Sequence, residues 1–339
     1  MSKTAILLAN LGSPDSTAVK DVRRYLNQFL MDERVIDVPY LLRLFLVKGI
    51  ITPFRAHKSA KAYQTIWSDK GSPLIHTSKE LKSAIDEQVD MPVYLCMRYG
   101  SPSTPDILKA IQKEHPDLEE LILFPLYPHY AMSSYETAVV HVKDEMKELG
   151  VGFRLKTVPP FYNHPAYIAA LSESIRPFVQ KDYDLIMFSY HGIPERHVKK
   201  TDPSGEHCLK VENCCHVASE AHDFCYRHQV VRTTELVTDY LQLPEDKVMY
   251  AFQSRLGRDP WLQPYTAKTL EELPDRGIKK MIICCPAFVS DCLETLEEIH
   301  EEGREIFMDA GGESFDVVPC LNLRPDWIHA MTDIMQTAH

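Results

Sequence analysis

The sequence lacks an apolar run long enough to cross a membrane, and it lacks an excess of positive charge. A spanning helix needs about 20 predominantly apolar residues. The N-terminal stretch, MSKTAILLANLGSP, has only a short apolar run before Gly12 and Pro14, so it does not read as an export signal. The net charge of −11 argues against nucleic-acid binding as the main activity. We therefore expect a cytoplasmic protein.

The nine cysteines do not follow the paired CxxC spacing that is typical of zinc sites. Thiols stay reduced in the cytosol, so we expect buried, reactive or metal-bound cysteines rather than disulfides. The length of 339 residues predicts two domains or one large one, and the hydrophobic share of 45% is ordinary for a globular chain.

Apolar strand-like runs alternate with amphipathic helical segments almost throughout the chain. This alternation predicts βαβ units, parallel sheets and an α/β fold. Eight strands could close a barrel, but the first crossover, from Asn10 to Pro92, is too long for a regular barrel unit, so we expect two open sheets in tandem. The predicted strands are Thr4–Asn10, Val93–Met97, Leu121–Phe124, Phe153–Thr157, Leu185–Ser189, Val248–Phe252, Met281–Cys285 and Phe315–Val318.

The two halves repeat one plan: an apolar strand, a proline, a polar loop and an acidic helix. LEELILFPLYPHYAMSSYETAVVHVKDEM matches IKKMIICCPAFVSDCLETLEEIHEEGREIF in this respect. We therefore predict an N-terminal domain over 1–160, a C-terminal domain over 161–320 and a C-terminal helix within 321–339, with the break at Pro159–Pro160. In such folds ligands bind at the carboxyl ends of the strands.

An acidic segment follows the strand Met281–Cys285. Ser290 and Asp291 are predicted N-caps for a helix over Leu293–Phe307. Glutamates spaced by four residues share one face of this helix, where like charges repel each other. Either solvent surrounds this face, or it binds a cation or carries protons. These glutamates are Glu294, Glu298 and Glu302.

His191 follows the predicted strand Leu185–Ser189 in the run FSYHGIPERH. A histidine at a strand end is well placed for proton transfer near neutral pH or for metal binding. The alternative is a structural histidine that only makes hydrogen bonds.

Four cysteines lie close together in TDPSGEHCLKVENCCHVASEAHDFCYRHQ, beside His207, His216, His222 and His228. Thiols this close in a cytosolic chain indicate a metal site. Two adjacent cysteines would crowd a single zinc ion, so a [2Fe–2S] cluster fits better than zinc. The third possibility is that the four thiols are free. The four are Cys208, Cys214, Cys215 and Cys225.

Two further features have both a structural and a functional interpretation. Aromatic rings and a cation near predicted strand ends suit a large flat anionic ligand, or they only pack in the core. The segment Val38–Phe54 is either a buried helix or an exposed apolar lip that meets a membrane or a flat hydrophobic ligand.

The motifs LLANLGSPDS, GSPL, MRYGSPS, FPLYPHYAMSS, FSYHGIPERH, FQSRLGRDPWLQPYT and FVSDCLETLEEI occur in this order. In the presence and the order of these motifs, the sequence resembles the ferrochelatases, most closely those of Gram-negative bacteria. The resemblance implies two Rossmann-like domains related by a pseudo-repeat, with a porphyrin in the cleft between them. It also implies insertion of Fe(II) into protoporphyrin IX to give protohaem, the last step of haem biosynthesis.

The resemblance also implies roles for individual residues. His191 corresponds to the active-site histidine that accepts pyrrole protons, and Glu294 to the glutamate that relays them; the pair would also hold the Fe(II) substrate. Glu298 and Glu302 fall on the acidic face that leads from the pocket. Where animal members have a histidine after Asp291, this chain has Cys292. The residues in cleft-lining motifs are Arg98, Tyr99, Tyr127, Ser133 and Trp261.

The four-cysteine segment resembles the internal cluster-binding segments of a minority of bacterial members. The apolar segment Val38–Phe54 suggests peripheral contact with the inner face of a membrane, because the tetrapyrroles partition into bilayers. Two alternatives stay open. One is a chelatase for coproporphyrin or sirohydrochlorin, with cobalt in the latter case. The other is a non-catalytic haem or porphyrin carrier that senses redox state through its cluster.

Overall fold

Two four-stranded parallel sheets with helices around them make up the computed structural model, which describes residues 3–257 and 259–337. The chain divides into two units, and each sheet belongs to one of them. Of the described residues, the first unit holds those up to Leu126, Met132–Pro159 and those from Thr332 onward. The second holds Tyr127–Ala131 and Pro160–Met331.

The strands of the first unit are β1 (Thr4–Ser13), β2 (Val93–Gly100), β3 (Glu120–Pro125) and β4 (Arg154–Thr157). Their order in the sheet is β2-β1-β3-β4, and all neighbours are parallel. The α-helices are α1 (Val19–Leu30), α2 (Tyr40–Leu44), α3 (Thr52–Ile66), α4 (Pro73–Asp86), α5 (Thr104–Glu114) and α6 (Thr137–Leu149). π-helical segments lie at Phe45–Ile51 and Met132–Glu136.

The strands of the second unit are β5 (Leu185–His191), β6 (Val248–Gln253), β7 (Lys280–Cys284) and β8 (Ser314–Val317), in the order β6-β5-β7-β8. The α-helices are α7 (Pro165–Val179), α8 (Glu195–Lys200), α9 (Tyr226–Leu241), α10 (Thr266–Glu272), α11 (Arg304–Asp309) and α12 (Pro325–Thr337), which runs on into the first unit. A π-helical segment occupies Glu294–Gly303, and short 3₁₀ turns lie at Glu220–Phe224, Glu245–Lys247 and Pro274–Arg276.

The central strands β1 and β5 are buried along almost their whole length. Helices cover both faces of a parallel sheet, so its inner strands read as continuous apolar runs, as in LILFP and LIMFSY. All eight predicted strands are present and differ only at their ends. The two sheets have the same strand order and the same parallel pairing. The predicted α/β fold with two related Rossmann-like halves is therefore confirmed, and the long first crossover is filled by α1 to α4.

The segment Val38–Phe54 forms α2, a π-helical segment and the start of α3, and much of it faces solvent. Leu41 is 77% exposed and Phe54 is 78% exposed. The other exposed apolar side chains of this surface are Tyr40, Leu42, Phe45 and Ile50. Of the two readings, the exposed apolar lip is therefore the one that the structure supports. No helix in the described ranges combines the length and apolar character needed to span a bilayer.

One charged side chain of the apolar lip, that of Arg43, is buried. Its Nη1 donates to the carbonyl oxygens of Ile36 and Val38, each at 3.2 Å. Its guanidinium also lies 5.9 Å from the ring centre of Tyr40. Arg43 thus ties the start of the lip to the preceding loop, while the apolar side chains stay exposed.

Candidate active site and a cysteine-rich loop

His191 is the last residue of β5, which runs two residues further than the predicted strand Leu185–Ser189 and so includes the histidine that was expected just past its end. It pairs in register with Gln253 on the neighbouring strand β6. The next residue must be glycine, because a Cβ on Gly192 would lie 2.7 Å from the carbonyl oxygen of Gln253 and clash with it. The same Cβ would lie 3.2 Å from the ring of Trp261. The structure therefore brings Trp261, a predicted ligand-binding residue, next to the strand end that carries His191.

The imidazole of His191 has a defined tautomer. Its Nδ1 lies 2.7 Å from the carbonyl oxygen of Gly192. A carbonyl oxygen only accepts hydrogen bonds, so Nδ1 carries a proton, and in the neutral ring Nε2 therefore keeps the lone pair. A base or a metal ligand needs such a lone pair. The half-buried ring also contacts Phe288 edge to face, with ring centres 6.4 Å apart.

Behind this strand end lies a buried histidine that sequence reasoning did not single out. His129 Nε2 lies 2.9 Å from Thr233 Oγ1, which itself donates to the carbonyl oxygen of Tyr162. Nε2 must therefore be the donor, and Nδ1 is buried without a hydrogen-bond partner. Tyr190 and Tyr226 pack edge-on against the ring at 5.5 and 6.0 Å. Burial lowers the pKa of His129 to about 3, so the ring stays neutral.

His129 and His191 belong to one packed layer. The hydroxyl of Tyr226 donates to the backbone carbonyl of His191 at 2.9 Å. The hydroxyl of Tyr190 donates to Thr234 Oγ1 at 2.9 Å, since Thr234 uses its own proton on Val230. These buried bonds hold the end of β5, and with it the backbone of His191, in a fixed position.

The acidic segment differs from the predicted α-helix. Glu294–Gly303 is π-helical, and only Arg304–Asp309 is α-helical. The predicted N-caps Ser290 and Asp291 are also wrong in detail, because the N-cap position falls on Leu293 and has no side-chain cap. π-helical turns are rare and occur frequently at functional sites.

Asp291 instead fixes the loop before the π-helix. Its Oδ1 accepts from Thr295 Oγ1 at 3.0 Å, and its Oδ2 accepts from Asn322 Nδ2 at 2.6 Å. The Asp291 N–H donates back to Asn322 Oδ1 at 2.9 Å. Asn322 has a positive φ of 46°, a conformation that asparagine tolerates better than most residues. This reciprocal pair sets where the first turn of the acidic segment begins.

The three predicted glutamates differ in their surroundings. Glu294 and Glu298 are half-buried, whereas Glu302 is exposed. Burial, helped by the nearby Glu294 charge, raises the pKa of Glu298, although a hydrogen bond from Ser254 and the charge of His191 act the other way. Glu294 also lies close enough to hydrogen-bond with the Cys292 thiol, whose pKa is raised by burial and by this carboxylate. His191, Glu294 and Glu298 therefore form one electrostatic group.

Gln253 and Ser254, which were not predicted as site residues, connect this group. Gln253 Nε2 donates to the carbonyl oxygen of Glu294 at 3.1 Å and lies 3.4 Å from Glu298 Oε2. Its Oε1 accepts from Ser189 Oγ at 2.9 Å, which fixes the amide orientation. Ser254 Oγ donates to Glu298 Oε2 at 2.5 Å from a backbone with φ of 65°. An unusual backbone geometry of this kind is a frequent feature of functional sites.

Arg98 and Tyr99, predicted to line the ligand cleft, are engaged in a buried network in the first unit. The Tyr99 hydroxyl donates to Asp32 Oδ2 at 2.9 Å. Arg98 Nη2 donates to the same oxygen at short range. Thr137 Oγ1 donates to the same oxygen at 2.5 Å. Burial alone would raise the pKa of Asp32. Hydrogen bonds from Thr137 and the Arg34 N–H, together with the Arg98 charge, outweigh burial, so the pKa of Asp32 is lowered overall. Tyr99 has no exposed surface, so its role toward a ligand stays a prediction.

The other two predicted ligand-binding residues lie in different units. Tyr127 is buried and belongs to the second unit, whereas Ser133 is half-buried in the π-helical segment Met132–Glu136 of the first. Their contacts with a ligand also stay predictions.

The four cysteines of the loop between α8 and α9 come together in the second unit. All four are at least nine-tenths buried. The hydrogen bond between Cys208 and Cys225 raises the pKa of Cys208 and lowers that of Cys225. Burial raises the pKa of Cys215 to about 12, and Cys214 adds to this by its charge and a hydrogen bond. The thiols are therefore mutual neighbours.

Donors surround these sulfurs. The backbone N–H of Leu209 points to Cys214 Sγ at 3.5 Å, and that of His228 to Cys225 Sγ at 3.4 Å. Arg227 Nη1 lies 3.6 Å from Cys214 Sγ and adds a positive charge. Four buried thiols with N–H donors and a cation have the chemistry that an iron–sulfur cluster needs. The donor set thus fits such a group.

Within residues 3–257 and 259–337, no three His, Cys, Asp or Glu side chains are arranged around a point where one metal ion would bind. This applies to the cysteine loop and to His191 with its neighbouring glutamates.

A family model described as Ferrochelatase matches residues 3–339. A ferrochelatase of Opitutus terrae is 48% identical over 99% of this chain and 98% of its own length. A ferrochelatase of Pseudomonas fluorescens is 47% identical over 100% of this chain and 99% of its own length. Among solved structures, the sirohydrochlorin chelatase SirB from Bacillus subtilis subspecies spizizenii, in complex with cobalt, shares the fold at a TM-score of 0.55 and 11% identity, over 99% of this chain and 95% of that chain.

Proposed function

Since this chain belongs to the ferrochelatase family, enzymes that insert iron into porphyrins, we propose that it inserts Fe(II) into protoporphyrin IX and that His191 accepts the pyrrole protons. The observation that carries the proposal is the His191 tautomer. Nδ1 is held by the Gly192 carbonyl oxygen at 2.7 Å, so Nε2 is the free basic nitrogen.

The reaction requires a base because a free-base porphyrin carries two inner N–H protons that must leave before the metal is bound by all four nitrogens. A positioned base contributes roughly 10²–10⁴-fold to such a step. His191 supplies this base at the end of a rigid strand. Glu294, at the start of the π-helix, takes the protons onward.

Glu294, Glu298 and Glu302 form the outward route. Burial raises the pKa of Glu298, so this carboxyl keeps a proton to a higher pH than an exposed carboxyl does. Glu302 is exposed and meets solvent. Imidazole and carboxylate are also ligands that Fe(II) accepts, so the same residues suit passage of the metal inward. The proposal includes His191 and Glu294 as the residues that hold the Fe(II) substrate.

Trp261 is proposed as a wall of the porphyrin site, supported by its position over Gly192 and beside His191. Arg98, Tyr99, Tyr127 and Ser133 are proposed as further contacts on the strength of their motifs. Preorganised aromatic and polar contacts of this kind would hold the macrocycle in a bent shape that favours metal entry.

We also propose that Cys208, Cys214, Cys215 and Cys225 hold a [2Fe–2S] cluster. The support is their mutual contact, their burial and the N–H donors around them. When bound, such a cluster would supply one-electron redox chemistry. It is not part of the proton route.

We propose a cytoplasmic location with peripheral membrane contact, and the exposed apolar lip supports the membrane contact. Exposed aromatic and aliphatic side chains insert readily into the headgroup region, and basic residues attract anionic lipids. Lys48, Arg55 and Lys58 are exposed on the same helical stretch. This arrangement suits a substrate and a product that partition into bilayers.

The test is a competition assay under anaerobic conditions. Purified protein receives Fe(II) with equal amounts of protoporphyrin IX, coproporphyrin and sirohydrochlorin, and the metallated products are separated. We expect protohaem to dominate with multiple turnovers. Dominant coproporphyrin or sirohydrochlorin product would reassign the substrate, and tight porphyrin binding without turnover would indicate a carrier.

A further inference from the structure

Three histidines form a compact block against the paired cysteines of the cysteine-rich loop. His207 Nε2 and His222 Nε2 both lie close to the backbone carbonyl oxygen of Cys214, at 2.8 and 2.9 Å. His228 Nδ1 lies 2.7 Å from the carbonyl oxygen of Cys215. Because carbonyl oxygens only accept, each of these ring nitrogens carries a proton and donates.

The three rings support one another. His222 and His228 stack in parallel, with ring centres 3.6 Å apart and an interplanar angle of 7°. His207 packs against His222 with ring centres 5.4 Å apart. The rings come from three separate pieces of chain: the loop after α8, the 3₁₀ turn Glu220–Phe224 and the first turn of α9.

His207 and His222 are also anchored through their backbones by residues other than the cysteines. The His207 N–H donates to Asp202 Oδ2 at 2.8 Å, and Asp202 Oδ2 also accepts from the Cys208 N–H at 2.8 Å. The His222 carbonyl oxygen accepts from Gln229 Nε2 at 3.1 Å. The block is therefore positioned by the surrounding loop and by α9, not only by the cysteines.

The paired cysteines need such support because no strand or helix holds them. Cys214 and Cys215 lie in a turn, directly after Asn213, whose φ is 51°. Their carbonyl groups are not used by a sheet or helix ladder, and a buried carbonyl without a donor is unfavourable. The three imidazoles satisfy these carbonyls and so fix the backbone from which both thiols project.

We propose that His207, His222 and His228 are positioning residues that preorganise Cys214 and Cys215 to ligate the iron–sulfur cluster, an inference that rests on the cluster assigned under the proposed function. They act through the ligand backbone and do not bind iron themselves. Removing groups that orient metal ligands weakens metal binding by roughly 10–100-fold.

The test uses protein purified anaerobically with its cluster. The variant His222→Leu keeps an apolar side chain but has no donor, whereas His222→Gln keeps a neutral N–H at a similar reach. His228→Asn is the corresponding conservative change for an Nδ1 donor. The matched control is His216→Leu, because His216 lies in the same segment but pairs with Glu235 at 2.6 Å and does not contact a cysteine carbonyl.

The readouts are iron and acid-labile sulfide per chain, the rate of iron loss to a chelator and the reduction potential of the cluster. We expect iron loss from His222→Leu to be roughly 10–100-fold faster than from wild type, with a shifted potential. His222→Gln, His228→Asn and His216→Leu should remain close to wild type. Far-UV circular dichroism shows whether each variant is folded.

Three results would overturn the proposal. Wild-type protein without iron and sulfide refutes the cluster, and the positioning role with it. A normal cluster in wild type and in His222→Leu refutes only the positioning role. Equal losses in His222→Leu and His222→Gln, or in His216→Leu, show that hydrogen-bond donation is not the cause.

Discussion

The buried neutral His129 should make stability depend on pH in a predictable way. Burial lowers its pKa to about 3, whereas an unfolded histidine titrates near about 6.5. Below about pH 6.5 the unfolded chain therefore binds a proton that the folded chain does not take up. The stabilisation from neutral His129 is fully present above that pH and is lost as pH falls toward about 3.

The expected size follows from the two pKa values. Between about pH 7.5 and about pH 5.5, the unfolded imidazole becomes largely protonated while the folded one stays neutral. Linkage then lowers the free energy of unfolding by about 1.4 kcal/mol over this interval. The variant His129→Gln keeps a donor for Thr233 but removes the titration. Over the same change of pH, the free energy of unfolding of this variant should therefore fall by about 1.4 kcal/mol less than that of wild type.

Urea unfolding followed by circular dichroism at the two pH values measures this difference. His57→Gln, at an exposed position on α3, is the matched control and should follow wild type. If His129→Gln and wild type show the same pH dependence, the buried neutral state of His129 is wrong.

Three further predictions concern separate parts of the structure. Asp32→Asn removes the charge that pairs with Arg98 in a buried network and should destabilise the fold by roughly 3–5 kcal/mol, measured by urea unfolding; a loss below about 1 kcal/mol would contradict the network. Leu41→Glu with Phe54→Glu should abolish co-sedimentation with anionic vesicles, whereas Leu323→Glu, at an exposed leucine elsewhere, should not. Ser254→Ala removes the 2.5 Å hydrogen bond to Glu298 and should raise the KM for Fe(II) roughly tenfold while leaving the KM for porphyrin unchanged; equal changes in both would argue for a general structural defect.

The strands could be predicted because both faces of each sheet are covered. β5 appears in the sequence as LIMFSY and β7 as MIICC, apolar runs that need no alternation. Their parallel pairing placed the candidate residues at strand ends. His191 at the end of β5 and the acidic segment after β7 are both found there.

The π-helix could not be predicted from the spacing of Glu294, Glu298 and Glu302. Residues four apart lie near one face in an α-helix and in a π-helix alike, so the side-chain pattern does not separate them. The different burial of the three glutamates also depends on neighbours from other elements. Ser254 and Gln253 reach Glu298 from the end of β6, far away in the sequence.

The remaining residues were missed for a similar reason. Asp32 is one acidic residue after α1, and only the fold brings Arg98 and Thr137 to it. The flanking histidines of the cysteine loop were visible in the sequence, but their bonds are to backbone carbonyls, which no side-chain pattern reveals. For Val38–Phe54 the composition allowed burial or exposure, and tertiary packing decided between them.

The central claim is that His191 and Glu294 move pyrrole protons, and single-turnover iron insertion tests it most directly. Fe(II) and protoporphyrin IX are mixed anaerobically with wild type, His191→Ala, Glu294→Ala and the control Glu301→Ala, an exposed glutamate on the same helix. Porphyrin binding is measured in parallel by fluorescence. The account predicts a loss of at least roughly 10²-fold in insertion rate for the first two variants, with porphyrin still bound, and a wild-type rate for Glu301→Ala. Insertion at near wild-type rate by His191→Ala or Glu294→Ala would contradict it.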